Sequence, residues 1–229
     1  MLAELRADPN VQGVMLGGSL ARGTARPDSD LDVFVVTAEN DDDAPWRRRR
    51  RLLPVDLLAY TANDWRGRFC PHRVGDESWG YAFMDGIILE DPAGALAQLL
   101  AEAAEIHACY RVPAHIKAHY DWLWKHVRPK MLAVLQRGDP VEIGWAAAAM
   151  TNEVVRTVWA ANDLPNPSLD LGTFQRHLDG LTVPPDAPDR LRDMLQAPPK
   201  QALQLQLDLI TLVEPHLVKP SVELRPIED

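Results

Sequence analysis

Residues 17–36 read GGSLARGTARPDSDLDVFVV, and the chemistry of the N-terminal part of the chain is written in them. An apolar run, VQGVML at 11–16, reads as a strand that delivers the chain to Gly17, Gly18 and Ser19. Glycine lets backbone approach a ligand closely, and the short helix opened there would offer unpaired N–H groups to a phosphate. The Ser19 hydroxyl can add a hydrogen bond to the same anion. Arg26, Pro27, Asp28 and Ser29 then make a turn into a second strand, LDVFVVT at 31–37, rich in β-branched residues.

Asp30 and Asp32 stand two apart at the start of that strand. Positions i and i+2 of a strand point to one face, so the two carboxylates converge. Such a pair repels itself unless something positive lies between, and hard oxygen ligands suit Mg²⁺. A third run, LLPVDLLAY at 52–60, carries Asp56 among apolar neighbours. Pro54 either moves the start of this strand to Val55 or places it at a sheet edge. If the third strand lies beside the second, Asp56 completes a three-carboxylate cluster facing the glycine turn. A phosphate cradle and a carboxylate-held metal are what phosphoryl or nucleotidyl transfer requires.

Gly18-Ser19, ten intervening residues, Asp30-x-Asp32 and then an isolated strand aspartate, Asp56, resemble the DNA polymerase β-like nucleotidyltransferase superfamily. The closer likeness is to small bacterial members, the aminoglycoside nucleotidyltransferases and minimal nucleotidyltransferases. The resemblance covers residues 11–60. It implies that Gly18 and Ser19 hold a nucleoside triphosphate, with Ser29 beside them, and that Asp30, Asp32 and Asp56 are catalytic and bind Mg²⁺, as two ions. Arg22 is placed with Gly18, Ser19 and Ser29 as a charge-assisted donor to the triphosphate, the bland alternative for it and for Arg26 being solvated loop arginines. The implied reaction moves a nucleoside monophosphate, AMP from ATP, to a hydroxyl of a small polar acceptor such as an aminoglycoside-like antibiotic, releasing pyrophosphate. Asp56 would ligate the second metal or act as general base. In some antibiotic-modifying relatives the base is a later glutamate, a role open here to Glu77 or Glu153. Two alternatives stand beside this reading. One is a minimal nucleotidyltransferase modifying a protein or RNA partner in a toxin–antitoxin pair. The other is a nucleotide-binding module without turnover, against which the three intact aspartates speak.

Beyond Asp91 and Pro92 the texture turns helical, with helices expected over 93–108, 113–136 (kinked or broken at Pro129), 140–161 behind an Asp139 cap, 171–178, 186–195 and 200–217. The expected fold is therefore α+β: a mixed-sheet catalytic domain over 1–92, then an all-α helical bundle over 93–229 that shapes the acceptor pocket, with the site in the cleft between them. The chain has 229 residues, with 24 Lys+Arg against 33 Asp+Glu and a formal charge of −9. That balance argues against a general nucleic-acid coat protein without excluding a local phosphate site. An apolar share of 46% is ordinary globular composition, and two cysteines, Cys70 and Cys109, cannot build a disulfide framework. No run approaches the length of a bilayer span, so a cytoplasmic protein is expected. The five arginines at 47–51 follow three aspartates at 41–43 and read as a charged surface segment. His115 and His119 have metal-ligand spacing on a helix but no matching third ligand. Trp122, Trp124, Trp145 and Trp159 are expected mostly in helix packing.

Overall fold

The structure is a computed structural model and describes residues 1–41, 44, 46, 55–70, 72–76, 78–166 and 171–217, without the side chains of 171 and 173. Asp42, Asp43, Pro54, Glu77 and the arginines at 47–51 lie outside the described residues. Two compact units make up the chain: Met1–Pro71 with Glu77–Tyr110 and Pro167–Gln175, and His72–Asp76 with Arg111–Asn166 and Arg176–Asp229.

The first unit is built on strands β1 (Val11–Leu16), β2 (Leu31–Thr37), β3 (Val55–Thr61) and β4 (Ile87–Glu90), in the order β3-β2-β1-β4. β2 and β3 run parallel while β1 is antiparallel to both β2 and β4, so the sheet is mixed, as expected. β3 begins at Val55 and lies at an edge of the sheet. Alternation along β2 sends Val33 and Val35 to one face, where they bury with Val14, Leu57, Ala59, Trp46 and Leu5 of helix α1 (Leu2–Ala7).

Phe34 and Val36 point to the other face, against helices α3 (Ala62–Phe69), α4 (Gly80–Met84) and α5 (Ala95–Cys109), which follow the single turn α2 (Gly18–Ala21) in chain order. An aromatic cluster fills this face, with Phe34 5.5 Å from Trp65 and 6.2 Å from Phe83 between ring centroids. The Trp65 indole N–H donates to the Val35 carbonyl, so its one polar atom is satisfied in the core. α3 starts where the Thr61 hydroxyl accepts the Asp64 backbone N–H. The TAND sequence at 61–64 carries the signal for this cap.

The first compact unit takes in the chain as far as Tyr110 and then Pro167–Gln175. α5 carries Leu96, Leu99 and Ala103 on one face, all fully buried in the sheet's aromatic layer rather than in a helical bundle. It crosses β1 so closely that a Cβ on Gly13 would lie 2.7 Å from Leu96 Cδ1.

Near its end α5 also carries His107, its ring tilted at 56° to that of Tyr81 with the centroids 4.2 Å apart, and with Nε2 3.3 Å from the Ser78 hydroxyl. Ser78 in turn donates to the Phe69 carbonyl. Burial disfavours the imidazolium and lowers the His107 pKa to about 4. The folded value lies below the ordinary value near 6.5, so this group's contribution to stability is complete above pH ~6.5 and is lost as pH falls from there towards 4. Urea midpoints should decline over that window in the native chain, and His107→Gln should flatten the decline. A parallel decline in both proteins would show that His107 is not its source.

The second unit is helical: α6 (Ala114–Arg137), α7 (Pro140–Ala161), α9 (Ala187–Gln196) and α10 (Pro199–Val213), with the last residues of α8 (Leu171–Asp179). The Asp139 side chain caps α7 through the Val141 and Glu142 N–H groups, as expected. α6 is continuous through Pro129, so the break, one of the two outcomes expected there, does not occur. Pro129 and Lys125, whose carbonyl loses its helical partner there, are both exposed residues. Trp124 and Trp159 are fully buried, with their N–H groups on Thr157 and His177. Trp122 and Trp145 depart from the expected packing and are 55% and 76% exposed. The His115 ring Nε2 lies 2.8 Å from the His72 carbonyl oxygen. Among the described residues no helix is long and apolar enough to cross a membrane.

Candidate active site

The site begins where β1 ends. The Gly17 N–H donates to the Asp32 carbonyl at 2.9 Å, which pins the turn across the start of β2. The two glycines then lie flat on that strand. A Cβ on Gly17 would meet the Phe34 ring at 2.6 Å, and one on Gly18 would sit 1.6 Å from Asp32 Oδ2. Gly18 also has φ +61°, a left-handed conformation that costs a residue with a side chain about 1–2 kcal/mol. The pair is therefore required by close approach at both positions, and by backbone conformation at the second.

α2 closes behind this contact. Ala21 N–H donates to the Gly17 carbonyl and Arg22 N–H to the Gly18 carbonyl, each at 3.2 Å, and Thr24 N–H reaches the Ser19 carbonyl at 2.9 Å. Ser19 is partly exposed within the turn. The expected turn at 26–29 forms from both sides. Ser29 N–H donates to the Arg26 carbonyl at 3.0 Å, and the Ser29 hydroxyl accepts the Arg26 N–H at 2.9 Å.

The parallel ladder pairs Asp32 with Asp56 in register. Residues in register on neighbouring strands share a face, and the strands are about 4.8 Å apart, so both carboxylates rise from one patch beside Gly18. Asp32 is partly buried against the glycine and Asp56 is exposed. Asp30, exposed and just ahead of β2, is not drawn in with them: among the described residues no three His, Cys, Asp or Glu side chains close into a ligand set. Two carboxylates side by side, one of them exposed, offer the hard oxygen donors that a divalent cation takes.

The other expected site residues are placed as follows. The Arg22 guanidinium points to Asp85, Nη1 to Oδ2 3.8 Å, and both side chains are largely buried. Asp85 was missed in the sequence, where Asp85-Gly86 signals no more than a turn. Arg26 is exposed. Glu153 belongs to the second unit, 3.6 Å from the Arg156 guanidinium.

Residues 1–67 match the model of the nucleotidyltransferase domain family. No curated protein matches the chain. Among solved structures, a toxin–antitoxin complex with AMP-PNP is 19% identical over 56% of this chain and 94% of its own, with a TM-score of 0.34. A mutant of the toxin–antitoxin MntA–HpeT gives 19%, the same two shares and a TM-score of 0.32. A nucleotidyltransferase-like protein from Exiguobacterium sibiricum 255-15 is 14% identical over 94% of this chain and 72% of its own, with a TM-score of 0.41. With the glycine turn seated on Asp32, Asp56 in register beside it and the family match spanning both, residues 1–67 are a nucleotidyltransferase domain of the DNA polymerase β-like superfamily.

Proposed function

We propose that the chain transfers a nucleoside monophosphate, AMP from ATP, to a hydroxyl of a small polar acceptor and releases pyrophosphate. The observation that carries this reading is the direct seating of the Gly18 backbone on the Asp32 carboxylate, with Asp56 in register beside it. Triphosphate seat and carboxylates are then parts of one rigid contact, which in-line displacement needs.

In this reading Gly18 and Ser19 receive the triphosphate through backbone N–H groups and the serine hydroxyl, and Ser29 holds the loop that leads into β2. Asp30 and Asp32 would hold Mg²⁺, with Asp56 sharing a second ion or accepting the proton of the attacking hydroxyl. A cation held there offsets the charge on the phosphates. The acceptor oxygen bonds to the α-phosphorus, the bond from that phosphorus to the bridging oxygen breaks, and pyrophosphate leaves. Asp56, being exposed, is accessible to an incoming hydroxyl. The chain's excess of 33 acidic over 24 basic residues favours a cationic acceptor such as an aminoglycoside-like antibiotic.

Calorimetry with ATP, with and without Mg²⁺, followed by pyrophosphate release across a panel of aminoglycosides, tests the reading. Saturable Mg²⁺-dependent binding and acceptor-dependent release are expected. Absence of nucleotide binding in the presence of Mg²⁺ would refute it. Transfer of label from α-labelled ATP to protein or RNA instead of small molecules would reassign the acceptor to a macromolecular partner.

A further inference from the structure

β2 and β3 account for the carboxylates beside the glycine turn, but not for what holds its far end. That end is Arg22, whose N–H closes the turn on the Gly18 carbonyl. Its side chain runs into the first unit towards Asp85, which follows α4 and caps it with an N–H to the Tyr81 carbonyl. The side chains are 14% and 11% exposed, so water and salt screen this pair far less than a surface ion pair.

A third residue completes the arrangement from a distant part of the sequence. Gly172, in the portion of α8 that belongs to the first unit, lies so close that a Cβ there would sit 2.5 Å from Arg22 Nε and 3.0 Å from its Cζ. The backbone of Gly172 is not left-handed, so its conformation does not require glycine. The room taken by the guanidinium does. Gly23, Gly94 and Gly138 are the converse: each has positive φ, and a Cβ on any of them would meet nothing within 4 Å.

We propose that Arg22 is a positioning residue: paired with Asp85 and cradled by Gly172, its side chain clamps the 17–19 turn onto β2. The clamp rests on the nucleotidyltransferase reading for its consequence, since a turn held in place is a triphosphate seat formed before the ligand arrives. It also makes Asp85 and Gly172, both outside the family-matched residues 1–67, determinants of nucleotide affinity. A different arrangement, in which Arg22 touches the triphosphate and Asp85 merely competes for it, has the opposite sign. Removing the Asp85 charge would then release the arginine and tighten nucleotide binding.

Asp85→Asn and Gly172→Ala are compared with the native chain by amide hydrogen exchange without nucleotide, and by ATP affinity and turnover with Mg²⁺. The clamp predicts faster exchange at residues 17–23 in both variants and nucleotide binding weaker by roughly tenfold, the size of coupling usual between contacting residues. KM for the nucleotide should rise while kcat stays within about twofold, and Asp85→Glu should recover most of the affinity. Unchanged exchange in both variants, or tighter ATP binding by Asp85→Asn, overturns the clamp. Should Asp85→Asn fail to fold, Gly172→Ala, which alters no charge, gives the same two measurements. Faster exchange in a chain that binds no nucleotide would uphold the clamp while refuting the nucleotidyltransferase reading of the turn.

Discussion

Asp32→Asn is expected to lower pyrophosphate release by roughly a thousandfold or more, with the fold intact. The expectation follows from two neighbours of this carboxylate. Its Oδ2 lies against the Gly18 Cα, where asparagine of nearly the same shape preserves the contact, so the turn stays seated. Its register neighbour is Asp56, and removing one of two adjacent negative charges relieves repulsion in the chain without a bound ion. Mg²⁺-dependent ATP binding should collapse, because the shared charge that attracts the cation has been halved. Asp30→Asn offers the companion measurement, since Asp30 is exposed and stands apart from the pair. An equal loss in Asp30→Asn would show that it turns in as a ligand when nucleotide and metal bind. Unchanged turnover in Asp32→Asn would sink the assignment of the site.

What the sequence made legible here was local. The glycine turn, the β-branched second strand and the Asp139 cap each depend on residues within a few positions, and each forms where its pattern places it. The partnership of Asp32 with Asp56 was conditional on strand order, because alternation assigns a face and says nothing of which strand is adjacent. The ladder supplies that missing step. α5 shows a different limit. Its Leu96, Leu99 and Ala103 stripe is legible as an apolar face, but an amphipathic helix carries no mark of which layer it covers. The same holds for Trp122 and Trp145, whose residue type suggests burial while their helix positions expose them. Asp85 and Gly172 were invisible for a stronger reason. Neither belongs to a local pattern, and both acquire meaning from one arginine distant in sequence.

Gly18→Ala is the substitution that should do the most harm for a single methyl group. Two costs arise at once. The left-handed φ of +61° penalises any side chain by about 1–2 kcal/mol, and the new Cβ would fall 1.6 Å from Asp32 Oδ2 and 2.6 Å from its Cγ. Rotating the carboxylate relieves the first overlap, but Asp32 Cβ at 3.1 Å still crowds the methyl, so the turn must lift from the strand. Lifting it separates the triphosphate seat from the carboxylates, and displacements of about 1 Å cost reactions of this kind roughly a hundredfold. Loss of at least that size in kcat/KM is expected, with a drop in unfolding free energy of no more than about 3 kcal/mol. Gly23→Ala separates the two causes. Gly23 has φ +70° in the same loop, yet a Cβ there would meet nothing within 4 Å, so it carries the strain without the overlap. Gly23→Ala should therefore lose stability and keep most of its activity. If the two variants bind Mg²⁺-ATP equally well, strain accounts for both, and the contact between Gly18 and Asp32 is not the triphosphate seat.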